Sequence, residues 1–313
     1  MKDLEKFNSK VLVIGAYGQV GSEIRSIQDK LNFSFHFPTS KELNLLKLDS
    51  FEDYLDHGKY DLVINLAAYT DVELSEKNRE KANIINNLSL DIIAKETNRK
   101  NIGLIHASTD YVFGDSGGPY NSNDKKSPIN FYGLTKSLGE DLILQEHKRS
   151  MVIRFSSVFS EYGNNFAKKI INRIIKNSEV EVVTDQKISL TYAGDFAKNL
   201  ENIINFYYDE AFENFQDRIF HFSSDDYTDW YNVAKIIHQE MINFDKEFTN
   251  VNLIPISSNE WHSMAKRSSD SRLMIDKEFM NLGNIILSNW KDRMKSVVNK
   301  VIPSMIRDHG KNG

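Results

Sequence analysis

Two residues of the sequence, Tyr132 and Lys136, have the types and the spacing needed for proton transfer to and from oxygen. Apolar residues behind them recur at helical spacing, so the two side chains are expected one turn apart on the same helix face. A free tyrosine keeps its proton until pH ~10, and an ammonium group beside it favours the phenolate. We therefore predict a proton donor or acceptor of the kind required when a hydride adds to, or leaves, a carbon that carries oxygen.

The Tyr-x-x-x-Lys spacing alone does not identify a site, because the chain contains it twice. The second pair, Tyr231 and Lys235, lies in an aromatic helical stretch and is expected to be a packed tyrosine with a solvated lysine. The first pair differs because Thr109 and Asp110 follow a predicted strand upstream of it. The Thr109 hydroxyl is placed either to bind a substrate oxygen beside the catalytic tyrosine or to cap a turn.

A glycine-rich turn stands near the beginning of the chain. The apolar run 11–14 predicts a buried parallel strand, and Gly15, Gly18 and Gly21 follow it before a predicted helix over 22–31. Glycines at these positions permit a tight turn, a close approach of the backbone to a pyrophosphate, and close packing of the helix on the strand. This arrangement predicts dinucleotide binding.

Strands and helices alternate through the first two thirds of the chain. Further strands are predicted at 33–37, 61–66 and 102–106, and a long helix at 76–99. This pattern predicts an α/β doubly wound parallel sheet of the Rossmann type, with ligands beyond the carboxyl ends of the strands. The expected NAD(P)-binding domain is 1–155 plus about 179–222, and a smaller, mostly helical substrate lobe is 156–178 plus 223–313.

The composition argues against several classes of protein. The net charge of −5, without a long basic run, makes nucleic acid an unexpected partner. The chain has no cysteine and its histidines lack metal-ligand spacing, so neither disulfides nor a metal is expected. No apolar run approaches the ~20 residues of a membrane span, and residues 1–10 are charged, so a cytoplasmic protein is expected.

The end of the second predicted strand bears on the choice between NADH and NADPH. Dinucleotide folds usually carry an acidic residue there for the adenosine ribose 2′-hydroxyl. This chain instead has Ser40 and Lys41 shortly after Pro38. The missing carboxylate leaves room for a 2′-phosphate, so either cofactor is expected, with NADPH slightly favoured. Lys41 is equally consistent with a solvated loop charge.

Taken together, these motifs resemble the dTDP-4-dehydrorhamnose reductase family of the extended short-chain dehydrogenase/reductase superfamily. The matching segments run in family order from residue 11 to about residue 295. They are 15–21, 63–70, 108–113, 128–136, 154–156, 163–168, 184–186 and 267–273. The resemblance implies NAD(P)H-dependent reduction of the 4-keto group of a nucleotide-linked 4-keto-6-deoxyhexose, in the biosynthesis of deoxysugars and surface polysaccharides.

The resemblance also implies roles for individual residues. The implied catalytic residues are Thr109, Tyr132 and Lys136. The implied cofactor-binding residues are Gly15, Gly18, Gln19, Val20, Asn44, Leu45, Ala67, Ala68, Tyr69 and Lys136. The implied substrate-binding residues are Thr109, Asp110, Tyr132, Asn165 and Arg267. The expected partner is a nucleotide diphosphate sugar, and the expected state is a monomer or a homodimer.

Some positions depart from the family pattern. Asn44 stands where the family usually has an aspartate, and Ser157 stands where it commonly has a tryptophan. Leu190 falls within 188–191, which replaces the usual Gly-x-Pro-Thr, and Ser268 replaces a proline. Because Ser157, Leu190 and Ser268 are expected on the substrate side, they leave the identity of the sugar open.

Two alternatives remain from the sequence. One is a sugar-nucleotide dehydratase or epimerase of the same fold. Dehydratases typically need a carboxylate directly after the Thr-Asp pair, where this chain has Tyr111, and related GDP-sugar epimerase-reductases use a cysteine. The other is a non-catalytic NADP-binding subunit resembling the regulatory subunit of methionine adenosyltransferase, which can retain Tyr132 and Lys136.

Overall fold

The computed structural model describes residues 9–49, 51–215 and 218–310, so the ends of the predicted domain ranges lie outside the described residues. Its strands are β1 (Lys10–Ile14), β2 (Ser34–His36), β3 (Leu62–Asn65), β4 (Gly103–Thr109), β5 (Ser150–Phe155), β6 (Val158–Phe159), β7 (Glu179–Val183), β8 (Lys187–Ile188), β9 (Thr191–Tyr192), β10 (Ile219–His221), β11 (Thr228–Asp229) and β12 (Asn252–Ile256). Its helices are α1 (Gln19–Ile27), α2 (Phe51–Gly58), α3 (Val72–Lys77), α4 (Arg79–Asn83), α5 (Ser89–Arg99), α6 (Phe131–Glu146), α7 (Phe166–Lys176), α8 (Ala193–Tyr208), α9 (Glu210–Glu213), α10 (Trp230–Phe244), α11 (Lys277–Leu282) and α12 (Trp290–Gly310).

The central sheet has six parallel strands in the order β2-β1-β3-β4-β5-β10. Strands β1, β3 and β5 are apolar and buried along nearly their whole length, as expected for a parallel sheet covered on both faces. From β1 the chain continues to β2, which lies next to β1 at the edge of the sheet. It then crosses to β3, which lies on the opposite side of β1. Ligands bind at such a reversal of strand order, outside the carboxyl ends of the strands.

Helices cover both faces of this sheet, which confirms the predicted doubly wound fold. One face packs on α1 and α8 through Ile24, Phe196 and Leu200. The other face packs on α2, α5 and α6 through residues that include Leu55 and Ile93. These two cores fix the carboxyl ends of the strands relative to the amino ends of α1 and α6.

A third core forms the lobe. The observed division between the sheet domain and the lobe differs from the predicted one in two places. Strand β7 was expected in the cofactor domain, but it pairs with β12 and buries Val180 and Val182 against α7, α10 and α12. Conversely, Phe279 and Ile285 were expected in the lobe but pack on the α1–α8 face of the sheet. The boundary at residue 179 is therefore wrong, because an alternating strand does not specify which partner strand it will find.

The long helix predicted at 76–99 is interrupted. Helix α3 ends at Lys77, α4 follows, and a π-helical segment, Ile84–Leu88, separates α4 from α5. The π-helical turn carries Asn86, whose side chain is buried. π-helical turns within helices are frequent at functional sites. This one contacts the loop between β3 and α3, which carries the expected cofactor residues Ala67, Ala68 and Tyr69 and is called the cofactor loop. Within the described residues, none of the helices combines the length and the apolar character that crossing a membrane requires.

Candidate active site

The amino end of α6 holds Tyr132 in place. Asn130 caps the helix, since its Oδ1 accepts a hydrogen bond from Gly133 N at 2.8 Å and its Nδ2 donates to Lys266 O at 2.8 Å. A Cβ atom at Gly133 would lie 2.0 Å from Tyr111 O, so only glycine lets the turn after β4 pack this closely on α6. The Tyr132 ring consequently meets the Tyr111 ring edge to face, with centroids 5.5 Å apart.

Burial raises the pKa of Tyr132 above its ordinary value, and a hydrogen bond with the Thr109 side chain offsets only part of this effect. The decrease of this pKa by Lys136 that the sequence predicts is wrong, because burial dominates and Lys136 does not contribute. The two residues share one helix face, but Lys136 Nζ contacts His106 and Ala107 rather than Tyr132. Tyr132 is therefore a protonated phenol, which is the form that a proton donor requires.

Lys136 is buried against β4. Its Nζ donates to Ala107 O at 2.7 Å and lies 2.9 Å from Nε2 of His106. Burial lowers the pKa of Lys136 to about 8, and the negative charge of Glu140 opposes this effect. Glu140 itself forms a two-pronged ion pair with Arg154, with both N–O distances 2.8 Å.

Thr109 caps the 3₁₀ turn that follows β4, and it also faces Tyr132. Its Oγ1 accepts from Tyr111 N at 3.3 Å and donates to Oδ1 of Asp110 at 3.0 Å. Asp110 is almost fully buried, and its Oδ2 accepts a bond from Ser156 Oγ at 2.8 Å. Burial raises the pKa of the Asp110 carboxyl despite these hydroxyl donors. The turn-cap and substrate-facing roles weighed for Thr109 are therefore compatible.

An open cleft of about 640 Å³ lies at the reversal of strand order. It brings together most of the expected site residues. Those that line it are Gly15, Gly18, Gln19, Val20, Ala67, Ala68, Thr109, Asp110, Tyr132, Lys136 and Asn165. Gly15 has φ +83°, and a Cβ atom there would lie 2.5 Å from Ala67 N, so no other residue fits this turn. The shape of the turn suits a dinucleotide at the amino end of α1.

Three expected cofactor residues do not line this cleft. Leu45 is buried in the core beside α2, and Asn44 is exposed, with its Oδ1 accepting from Leu46 N at 3.0 Å. Tyr69 is held through its backbone, because its N–H donates to Asn86 Oδ1 at 2.8 Å. Asn86 Nδ2 also donates to Thr135 Oγ1 at 3.1 Å. The π-helical segment thus ties the cofactor loop to α6.

A loop of the lobe crosses to the cofactor domain on the substrate side. Arg267 Nη2 lies 2.7 Å from Glu73 Oε1, and Met264 N donates to the same carboxylate at 2.9 Å. Arg267 also hydrogen-bonds the Tyr111 hydroxyl. In this structure Arg267 therefore connects the lobe to α3. It also lines a small cavity beside Asp110.

Asn165 and Ser157 border the same region. Asn165 caps α7, and its Nδ2 donates to Gln19 Oε1 at 3.0 Å, so it joins the lobe to the glycine-rich turn. Ser157 lines both the cleft and the small cavity and adopts φ +44°, a left-handed conformation that is uncommon for serine. Strained residues of this kind cluster at ligand sites.

Other features carry none of the expected chemistry. A larger open groove of about 820 Å³ lies on the lobe between α10 and α12, but none of the expected site residues lines it. Tyr231 packs against the lobe core, and Lys235 is exposed. Among the described residues there is no group of three or more His, Asp or Glu side chains placed to hold a metal ion. The cleft at the strand ends is therefore the candidate active site.

Sequence reasoning missed several residues that shape this site, namely His106, Asn65, Asn86 and Glu73. A signal for two of them was present. Asn65 and His106 are polar residues in otherwise apolar parallel strands, and they are register partners across β3 and β4. Buried polar residues at such positions need hydrogen-bond partners, which points to a shared network.

The model of the family described as "RmlD substrate binding domain" matches residues 9–302. The chain belongs to this family. The RmlD-type chain is 33% identical over 253 residues to a dTDP-4-dehydrorhamnose reductase from Aggregatibacter actinomycetemcomitans, covering 79% of this chain and 83% of that protein. It is 34% identical over 233 residues to the spore coat polysaccharide biosynthesis protein SpsK from Bacillus subtilis, covering 74% of this chain and 79% of that protein.

A solved RmlD-type structure gives the same result for the fold. The dTDP-4-dehydrorhamnose reductase from Bacillus anthracis, in complex with NADP, superposes with a TM-score of 0.80 at 25% identity. The superposition covers 94% of this chain and 99% of that chain. The family and the fold predicted from the sequence are thereby confirmed.

Proposed function

We propose that this protein reduces the 4-keto group of a nucleotide-linked 4-keto-6-deoxyhexose, with NADPH or NADH as the reductant. The observation that carries this proposal is the meeting of Thr109, Tyr132 and Lys136 in a cleft that begins at a glycine-rich turn. Relatives named dTDP-4-dehydrorhamnose reductase support a dTDP-linked sugar, so dTDP-4-keto-6-deoxy-L-mannose is the first candidate substrate.

The residues of the cleft fit a dinucleotide. Gly15 and Gly18 leave the backbone open to a pyrophosphate, and Gln19 and Val20 begin the helix whose amino end faces it. Ala67 and Ala68, with their small side chains, would lie along the cofactor, and Lys136 would hold its nicotinamide ribose. When bound, the reduced nicotinamide supplies the hydride for C4 of the sugar.

Tyr132 is the proposed proton donor to the sugar oxygen. Because burial raises the pKa of Tyr132, the phenol is fully protonated at neutral pH and ready to donate. Thr109, which bonds the Tyr132 side chain, would orient the carbonyl through its hydroxyl. Once the proton has left, a cationic Lys136 one helical turn away would stabilise the phenolate.

The substrate end is proposed from the residues around Asp110. Asn165 and Arg267 would meet the diphosphate, where the forked donors of arginine suit phosphate oxygens. Arg267 would then exchange part of its contact with Glu73 for the ligand. Ser157 leaves open the space that a tryptophan would fill, so the sugar pocket is expected to tolerate different hexoses.

The two alternatives gain no support from the site. A dehydratase would need a carboxylate at Tyr111, whose hydroxyl here is buried, with a raised pKa, and bonds Arg267. A non-catalytic subunit would not need a protonated tyrosine beside an open cleft.

The test is to follow the nicotinamide absorbance of NADPH and NADH with dTDP-, UDP- and CDP-linked 4-keto sugars. Turnover with a dTDP-linked substrate supports the proposal. Turnover with no keto sugar, together with co-purification of a partner enzyme, would favour a binding subunit.

A further inference from the structure

A buried chain of polar groups runs from the cofactor loop to the catalytic lysine. Asn65 Nδ2 lies 3.2 Å from Nδ1 of His106, and Nε2 of His106 lies 2.9 Å from Lys136 Nζ. The three side chains are at most 1% exposed. Because these side chains are buried, each contact between them needs one donor and one acceptor.

The hydrogens of this chain can be counted from one fixed donor. The backbone N–H of Ala67 donates to Asn65 Oδ1 at 3.1 Å, so the oxygen of the amide must face Ala67 and its NH₂ must face His106. An NH₂ group can only donate. Nδ1 of His106 is therefore an acceptor without hydrogen, and a neutral imidazole then carries its hydrogen on Nε2.

This hydrogen points at Lys136, and an ammonium group has no lone pair to receive it. We propose that His106 is a positioning residue that favours the neutral amine form of Lys136 while the cofactor site is empty. The His106 Nε2–H donates to the amine lone pair, and one amine N–H donates to Ala107 O at 2.7 Å. In this arrangement each of the four contacts pairs one donor with one acceptor, and no two donors face each other.

The electrostatics shift Lys136 in the same direction as this hydrogen count. Burial lowers the pKa of Lys136 to about 8, so the neutral amine predominates above this pH and the ammonium below it. Burial holds the pKa of His106 well below its usual value, and Lys136 in its charged form would lower it further, so an imidazolium does not form. The titratable groups facing Lys136 are His106 from β4 and, from its own helix, the neutral phenol of Tyr132 and Glu140. Glu140 is engaged by the Arg154 guanidinium.

Only the expected effect of cofactor binding on Lys136 rests on the proposed function. A neutral Lys136 does not acidify Tyr132, which agrees with the raised pKa of the phenol. A bound cofactor would bring ribose hydroxyl oxygens to the site, and Nζ, on turning from His106 Nε2–H toward these oxygens, would favour the ammonium form. Cofactor binding should therefore take up protons, approaching one per site above the pKa of Lys136, and leave the lysine charged for catalysis.

The test uses the cofactor-free protein and nuclear magnetic resonance, so it does not depend on turnover. Histidine ¹⁵N shifts report which ring nitrogen is protonated, and lysine ¹³Cε shifts report the charge of the amine. His106→Gln and Lys136→Gln assign the two signals. We expect His106 to be the Nε2–H tautomer, and Lys136 to titrate with a midpoint near 8. An Nδ1–H tautomer, an imidazolium, or an ammonium that persists well above this midpoint would overturn the proposal.

A matched variant tests the hydrogen count itself. Asn65→Asp keeps an acceptor for Ala67 N–H but replaces the NH₂ donor by a second oxygen. The hydrogen of His106 should then move to Nδ1, and Nε2 should accept from a charged Lys136. If the tautomer in a folded Asn65→Asp protein stays the same as in wild type, Asn65 does not set it and the inference fails. Calorimetry in buffers of different ionisation enthalpy measures proton uptake on NADP binding, and a value of zero well above the lysine midpoint would also contradict it.

Discussion

Replacement of Tyr132 by phenylalanine removes one hydroxyl group and keeps the ring. The ring contact with Tyr111, at 5.5 Å between centroids, should therefore survive. The variant loses the bond with Thr109, and one neutral hydrogen bond contributes about 1 kcal/mol to stability. The fold should consequently remain intact, with a small decrease in the free energy of unfolding.

The effect on catalysis should be far larger. A positioned general acid contributes roughly 10²–10⁴-fold in rate, which corresponds to about 3–5 kcal/mol of transition-state stabilisation. We expect Tyr132→Phe to reduce kcat for the dTDP-linked keto sugar by this factor. Cofactor affinity should stay within about twofold of wild type, because the glycine-rich turn and Lys136 are untouched.

The assay compares kcat and KM from the nicotinamide absorbance with cofactor affinity from calorimetry. Tyr231→Phe is the matched control, because Tyr231 has the same spacing to a lysine, Lys235, but packs in the lobe. Its kcat should equal that of wild type. Wild-type kcat in a folded, cofactor-binding Tyr132→Phe protein would refute the assignment of Tyr132 as the proton donor.

Three further predictions concern stability, substrate and cofactor. Glu140→Gln breaks a fully buried ion pair with Arg154 and should cost about 3–5 kcal/mol in the free energy of unfolding at neutral pH, measured by denaturant titration. Burial alone would raise the pKa of Glu140, but the Arg154 charge holds this pKa below its ordinary value. The ion pair therefore stabilises the protein fully above the pKa of the unfolded carboxyl, and this stabilisation is lost as pH falls through the pKa of Glu140 in the folded protein. Ser157→Trp should narrow the range of hexoses accepted, measured as kcat/KM for 4-keto hexoses of different configuration linked to dTDP, UDP and CDP. An unchanged ranking of the hexoses would make Ser157 neutral for specificity. NADPH should bind at least as tightly as NADH, measured by calorimetry, and a strong preference for NADH would contradict this. Glu42→Gln should favour NADPH further, because the Glu42 carboxylate lies near the end of β2, where it accepts a hydrogen bond from Thr39 N at 2.7 Å.

Local patterns in the sequence were sufficient for the parts of the site that depend on local geometry. The glycine turn, the strand before it and the helix after it are set by neighbouring residues, and the structure has them close to the predicted positions. Helical spacing also placed Tyr132 and Lys136 on one face of α6. The alternation of strands and helices likewise predicted the doubly wound parallel sheet.

Contacts between distant residues could not be read from such patterns. The sequence of β7 alternates as a half-buried strand does, but its partner, β12, lies in a different part of the chain. The pairing of Glu73 with Arg267 likewise joins residues that no local pattern relates.

The sign of the Tyr132 pKa shift was missed for a similar reason. Spacing shows that a lysine is near, but desolvation depends on everything packed around the phenol. The engagement of Lys136 by His106 and Ala107 is part of that packing.

The central claim is hydride transfer to C4 of a nucleotide-linked keto sugar. The most direct measurement uses NADPH that carries deuterium at nicotinamide C4, on the face from which hydride leaves, with dTDP-4-keto-6-deoxy-L-mannose. Mass spectrometry and proton resonance then locate the label in the product. We predict one deuterium per product, at C4 of the sugar, and labelled product that forms roughly 10²–10⁴-fold more slowly when Tyr132 is replaced by phenylalanine. Deuterium at any other carbon, or no label in any product from the folded wild-type protein, would contradict the account.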